Sequence, residues 1–257
     1  MKKGFITLTN GNERYKHLVG VLVESVLEFT PYEIEVFGVN TDYKHSSSRV
    51  ISKRINLEHE NFETICFSKI KSCIMSDFDT TIHLDSDIVV SPEIVNVFNL
   101  LSENDSIKFP LHPWDGINQR IIDCINYIGA TEKTQPYVHA ATFIFNKKAK
   151  DFLNESFEIS QKMLRDGFSP INQDETIFNC LLWKNKIKNW FVDCYDPYHE
   201  YFKSTIGLSE QDKEKFICSN PYSEIENFKT NFYLSHGCKD YQEAKIILNL
   251  LKNNLPR

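Results

Sequence analysis

Over its first hundred residues the chain alternates short apolar runs with helical periodicity, the pattern of βαβ units that build a mainly parallel sheet. GFITLT predicts a first strand and NGN the turn after it, and Tyr15, Leu18, Val19, Leu22, Val26 and Phe29 then recur at helix spacing. EIEVFGVN predicts a second strand and residues 50–57 a third, while Phe62, Cys66, Ile70, Cys73 and Ile74 mark the next helix. TTIHLDSDIVV predicts a buried strand interrupted by acids. SPEIVNVFNLL predicts a helix with Pro92 in its first turn, where the missing N–H costs nothing. IKFPL, YVHAATFIFN and NWFVDCY predict further strands, separated by helices at 117–128, 147–165 and 173–183. Residues 195–230 have weak periodicity and predict a long functional loop, and 239–252 predict an amphipathic helix.

The expected fold class is therefore α/β and Rossmann-like, a mainly parallel central sheet with helices on both faces. At 257 residues and 41% hydrophobic, the chain can bury a sizeable core as one domain. A formal charge of -6 argues against a nucleic-acid partner, so a phosphate-bearing ligand needs a local device such as a metal ion. Seven cysteines, an odd number without a C-x-x-C pair, suit neither a disulfide framework nor a zinc ribbon, and a cytoplasmic compartment is expected. The basic start MKKGFITLT has too short an apolar stretch for a secretory signal, and no apolar run approaches the roughly 20 residues of a membrane span. Peripheral membrane contact enters only through the last predicted helix, where Ile246, Ile247, Leu250 and Leu251 share a face flanked by Lys245 and Lys252. The main reading of that face is packing on the domain core.

The chemistry concentrates at Asp85, Ser86 and Asp87. Ile82, Leu84, Ile88, Val89 and Val90 would bury the segment, yet it carries two carboxylates one residue apart. Burying like charges is unfavourable unless something compensates them, and a divalent cation does so with hard oxygen ligands. Ligands of open α/β sheets collect outside the carboxyl ends of the strands, where these acids fall. Mg²⁺ or Mn²⁺ held there would bridge a diphosphate and stabilise the charge developing on it as it leaves. A solvated turn after a strand is the alternative.

The segment FSKIKSCIMSDFDTTIHLDSDIVV resembles the helix and acidic strand of glycosyltransferase family 8, the glycogenin and bacterial galactosyltransferase group, in which a basic residue precedes D-x-D by sixteen residues as Lys69 precedes Asp85. FITLTNGNERYKHLVGVLVESV resembles the family's first strand and nucleotide-binding turn, with one extra turn residue. The likeness continues more loosely through YVHAATFIFN and NQDETIFN to about residue 183, and LSHGCKD completes it. It implies a GT-A fold in a single domain, with residues 1–110 forming the nucleotide-sugar half and 111–257 the acceptor half. The implied function is metal-dependent transfer of a hexose-type sugar from a nucleotide-sugar, UDP-linked, to a glycan or other hydroxyl acceptor.

By the same resemblance Asp85 and Asp87 bind Mn²⁺ or Mg²⁺, and Leu8, Thr9, Asn12 and Tyr15 surround the uracil. Lys69 and Ser86 reach the donor as well. His236 is the implied third metal ligand and Lys239 a phosphate contact, although S-H-G-C-K-D is shorter than the family's H-x-x-G-x-x-K. Asp174 and Glu175 align with the family's aspartate and glutamine, and are the catalytic candidates. Acids there also suit a helix start, where they complement the dipole. H-A-A at 139–141 stands where the family has N-[AS]-G, making His139 an acceptor-side residue that departs from the pattern. His112, Trp114 and Asp115, in a Pro-rich loop, are the other acceptor-side candidates. The resemblance favours retention of anomeric configuration, while the residues alone permit inversion with Asp174 or Glu175 as base.

Three other readings compete. DSDIVV also fits the nucleophile motif of haloacid-dehalogenase-like phosphatases, which normally lies on the first strand. A sugar-1-phosphate nucleotidyltransferase would open with a Gly-rich basic loop, which NGNERY is not. A non-catalytic carbohydrate-binding module would keep the fold and the metal site without turnover.

Overall fold

The computed structural model describes residues 1–110, 118–130, 136–187, 190–191, 234–235, 238 and 240–254. In chain order its strands and α-helices are β1 (Lys3–Thr9), α1 (Glu13–Phe29), β2 (Glu33–Val39), β3 (Val50–Ile55), α2 (Phe62–Ile74), β4 (Thr80–Leu84), β5 (Val89–Val90), β6 (Ile107–Pro110), α3 (Gln119–Ile128), β7 (Thr142–Asn146), α4 (Lys150–Asp166), α5 (Gln173–Lys184), β8 (Trp190–Phe191), β9 (Leu234–Ser235) and α6 (Tyr241–Asn254). The main sheet runs β3-β2-β1-β4-β7-β6-β8, and β5 pairs with β9 in a separate two-stranded ribbon. Pairs β1–β2, β2–β3, β1–β4 and β6–β8 are parallel, whereas β7 is antiparallel to both neighbours.

Period-two patterning makes this sheet a partition between two cores. Phe5 and Val36 face one side with Val19, Leu22 and Val26 of α1, and Ile6 and Phe37 face the other with Phe67 and Ile70 of α2. On β7, Phe143 and Ile144 divide the same way. Side chains define the helix starts. Asn12 accepts from Arg14 N–H at 3.0 Å to cap α1, and Asn61 with Thr64 forms a reciprocal capping box on α2. Gly129 and Gly167, with φ of 76° and 66°, end α3 and α4 in left-handed turns.

Strand order reverses beside β1, because β2 and β3 extend to one side and β4 joins on the other. The carboxyl ends of β1 and β4 therefore frame a switch-point crevice.

Several elements differ from expectation. Residues Pro92–Asn99 form a 3₁₀ helix, with Ile94 N–H bonded to Ser91 and Leu100 N–H to Val97, three residues back. The acidic run is not one strand, since the chain leaves the main sheet after Leu84 and Val89–Val90 pairs with β9. Only Thr142–Asn146 of YVHAATFIFN is strand. Residues 147–149 form a 3₁₀ turn ahead of α4. The predicted loop at 195–230 lies outside the described residues.

Helix α6 corrects the reading of a membrane-facing surface. Ile247 and Leu251 are buried with Leu18, Val21 and Val89, and Lys245 and Lys252 both pair with Glu24 of α1. The apolar face and its flanking cations are engaged by the protein itself, so peripheral membrane contact loses its basis. Among the described residues no helix is long and apolar enough to cross a membrane.

Candidate active site

The acidic segment starts where β4 ends, and Asp85 N–H donates to Ala141 O at 2.8 Å. Cys238 N–H donates to Asp87 O at 3.0 Å, while Ser235 pairs with Val89. The C-terminal chain on both sides of position 236 is thereby anchored to the segment carrying Asp85 and Asp87. His236 and Lys239 themselves lie outside the described residues, as do His112, Trp114 and Asp115.

Lys69 projects from α2 into the crevice. Its Nζ lies 2.9 Å from Asp85 Oδ1 and 3.0 Å from Asp174 Oδ2, and donates to Ala140 O at 3.3 Å. Burial acts first to depress the Lys69 ammonium, but Asp174 and Asp85 together outweigh it and hold the group well above its ordinary value. Burial raises Asp174, opposed by Lys69 and reinforced by Asp85, with a net shift upward. Asp174 is therefore more than a helix-start acid, being a buried carboxylate in a shared ion cluster.

Asp85 and Asp174 set two carboxylates against the Lys69 ammonium. Carboxylates of the kind that Asp85 and Asp87 carry at the strand end are hard oxygen donors, the type Mn²⁺ or Mg²⁺ takes. Among the described residues no group of three or more His, Cys, Asp or Glu is placed to hold a metal ion. Cys66 does not alter this chemistry, since burial, with Asp174 adding to it, pushes its thiol up to about 12 and keeps it protonated. His83, stacked on Phe143, is kept neutral by burial and by Lys69. It packs behind the site.

Helix α5 holds the other wall. Asn179 Oδ1 accepts from Val138 N–H at 2.8 Å, and its Nδ2 donates to Val138 O at 2.9 Å. Tyr137 shares a hydrogen bond with Thr176, and Glu175 Oε2 accepts from Ala140 N–H at 3.0 Å. Side chains of α5 thus take the backbone N–H groups of Val138 and Ala140, and the regular strand begins only at Thr142. Asn172 and Gln173 enter α5 with φ of 53° and 36°, left-handed values that are strained for non-glycine residues.

Two adjoining cavities open along the crevice. One, of about 190 Å³, has Leu8, Thr9, Tyr15, Ser86 and Phe62 in its walls. The other, of about 340 Å³, includes His139, Ala140, Asn172 and Glu175. Cys66, Lys69, Asp85 and Asp174 border both. Asn12 is not in the lining; its side chain caps α1, and Asn10 lines the cavity instead. Sequence reasoning also missed Phe62 and Ile65 as site residues. The signal was their position on the Lys69 face of α2, since 62, 65 and 69 recur at helix spacing. Asn179 ends the NQDETIFN run that carries part of the resemblance, but was not singled out as a site residue.

The switch-point crevice and the mixed seven-stranded sheet match the GT-A fold. The galactosyltransferase LgtC, solved in complex with donor and acceptor sugar analogs, matches it with a TM-score of 0.61. That match covers 99% of this chain and 98% of the other at 13% identity, and at such identity it establishes the fold. No protein-family model and no curated protein sequence matches the chain. Because D-x-D follows the fourth strand in the chain and not the first, the phosphatase reading lacks its expected context.

Proposed function

We infer that the protein is a metal-dependent glycosyltransferase that moves a hexose-type sugar from a UDP-sugar to a glycan or other hydroxyl acceptor. The observation that carries this reading is the Lys69–Asp85–Asp174 cluster at the junction of the two cavities. A group transferred between two ligands must lie where their sites meet, and charge that develops there needs fixed partners. Residues 1–110 supply the donor half, with Leu8, Thr9 and Tyr15 around the base and Asn12 supporting them from its cap. Residues 111–257 supply the acceptor half.

Asp85 and Asp87 would hold Mn²⁺ or Mg²⁺, with His236 as a further ligand, and the cation would neutralise the diphosphate as it leaves. Lys69 keeps Asp85 and Asp174 in fixed orientation and adds positive charge on the diphosphate side. Asp174, buried beside the junction, stabilises positive charge developing on the sugar. Retention follows the family resemblance, with a leaving phosphate oxygen taking the acceptor proton. The five free cysteines among the described residues support a reducing, cytoplasmic setting.

Thermal melts and product analysis test the reading. UDP with Mn²⁺ should raise the melting temperature more than GDP with Mn²⁺, because a ligand stabilises the state that binds it. Incubation with a panel of UDP-sugars and Mn²⁺ should release UDP. Equal or larger shifts with GDP, together with no UDP release, would remove it.

A further inference from the structure

The first cavity changes character along helix α2. Phe62, Ile65, Cys66 and Lys69 recur at helix spacing and all border it, so one face of the helix lines the cavity from its first residue onward. At 1.5 Å per residue, Phe62 and Lys69 stand about 10 Å apart along the axis. The α2 wall is therefore aromatic at one end and cationic at the other, where Lys69 pairs with Asp85. Tyr15 borders the same cavity from the first turn of α1. Helices α1 and α2 cover opposite faces of the main sheet, so the two rings reach the crevice from opposite sides.

Phe62 is 62% exposed and Tyr15 37%. A single exposed aromatic is ordinary on a protein surface, but this one is anchored beside a cavity. The capping box fixes its backbone, since Thr64 N–H donates to Asn61 Oδ1 at 2.8 Å and Asn61 N–H donates to Thr64 Oγ1 at 2.9 Å. Closing the ring over a ligand then needs rotation about its side-chain bonds and no rearrangement of the helix start.

We propose that Phe62 is a donor-binding residue that stacks on the nucleobase from the side opposite Tyr15, so that the cavity takes an elongated ligand with its planar ring at the Phe62 end and its anionic group at the Lys69 end. This deepens the glycosyltransferase reading and rests on it for the ligand being a nucleoside diphosphate. An aromatic face gains from a base by dispersion and by burying apolar area, and neither gain depends on the hydrogen-bonding edge of the base. Phe62 supplies affinity, while the polar groups of Thr9 and Asn10 at the same cavity are able to distinguish one base from another.

Calorimetric titrations of UDP and of pyrophosphate, each with Mn²⁺, into the parent and three variants test the assignment. Phe62 lies outside the core, so the variants should melt with the parent. Phe62→Ala should weaken UDP binding roughly tenfold, within the range that removing one stacked aromatic produces. Phe62→Tyr, which keeps the ring, should bind UDP like the parent, and Phe62→Leu, which keeps apolar volume without a ring face, should fall between. Pyrophosphate has no base and should bind all four proteins equally. The proposal is overturned if Phe62→Ala or Phe62→Leu binds UDP like the parent, or if pyrophosphate weakens in parallel with UDP, the sign of a disturbed site and not of a lost stack. Turnover separates this assignment from the reading it rests on. Phe62-dependent UDP binding without release of UDP from any UDP-sugar would remove the transferase reading and leave the stack, whereas release at the same KM in the parent and Phe62→Ala would remove the stack alone.

Discussion

Lys69→Met removes the ammonium that Asp85 and Asp174 share while keeping the length and apolar stem of the side chain. Asp174, with only 7% of its side chain exposed, cannot recover the lost interaction from water, whereas Asp85 at 29% can do so in part. Removing one partner of a buried pair costs about 3–5 kcal/mol. Without its partner the buried acid takes up a proton more readily, since burial disfavours the charged form. The sign with pH follows from the direction of the Asp174 shift, which is already upward. A folded state that holds a proton its unfolded form releases gains stability as pH falls, so the penalty should be smaller at pH 5 than at pH 7. For a chain of this length roughly 2–4 °C accompanies each kcal/mol, giving a loss of about 6–20 °C at pH 7 and a smaller one at pH 5. Thermal and urea melts of the parent and variant at both pH values measure this. Adding Asp174→Asn to Lys69→Met should recover about 2 kcal/mol by removing the stranded charge. A penalty below about 1 kcal/mol at pH 7, or one equal at pH 5 and pH 7, would refute the buried-cluster argument.

Asp87→Asn should abolish Mn²⁺-dependent UDP binding, and Asp174→Asn should leave that binding detectable while transfer falls roughly 10²-fold, as calorimetry paired with product assays would measure. Asn179→Ala strands Val138 N–H and C=O and should lower stability by about 2–4 kcal/mol, read by urea denaturation. Gly38→Ala would bring a Cβ to 2.2 Å from the Thr41 carbonyl oxygen, so a loss of about 1–3 kcal/mol or more is expected, and a melt within 1 °C of the parent would contradict the close approach.

The periodicity of residues 1–90 was enough to specify α1, α2 and the first four strands, because these elements bury faces set by local spacing. The same local pattern placed Lys69 on a helix and Asp85 at the end of a strand. The acidic segment could be read because two carboxylates among apolar neighbours contradict burial unless a partner exists. Other features depended on contacts between distant parts of the chain. Asp174 was a catalytic candidate by resemblance alone, its local pattern being that of an acid at a helix start, and only the packing of α5 beside α2 brings it to Lys69, 105 residues earlier. The antiparallel entry of β7 and the capture of residues 137–140 by Asn179, Thr176 and Glu175 likewise have no periodic signature. An amphipathic α6 announced an apolar face, but hydrophobicity has no direction, and it took α1 with Glu24 to decide what that face covers. Local spacing thus determined which elements form and which residues are chemically out of place, while the tertiary structure decided which of them meet, because the partners of a buried charge are chosen by the fold and not by their distance along the chain.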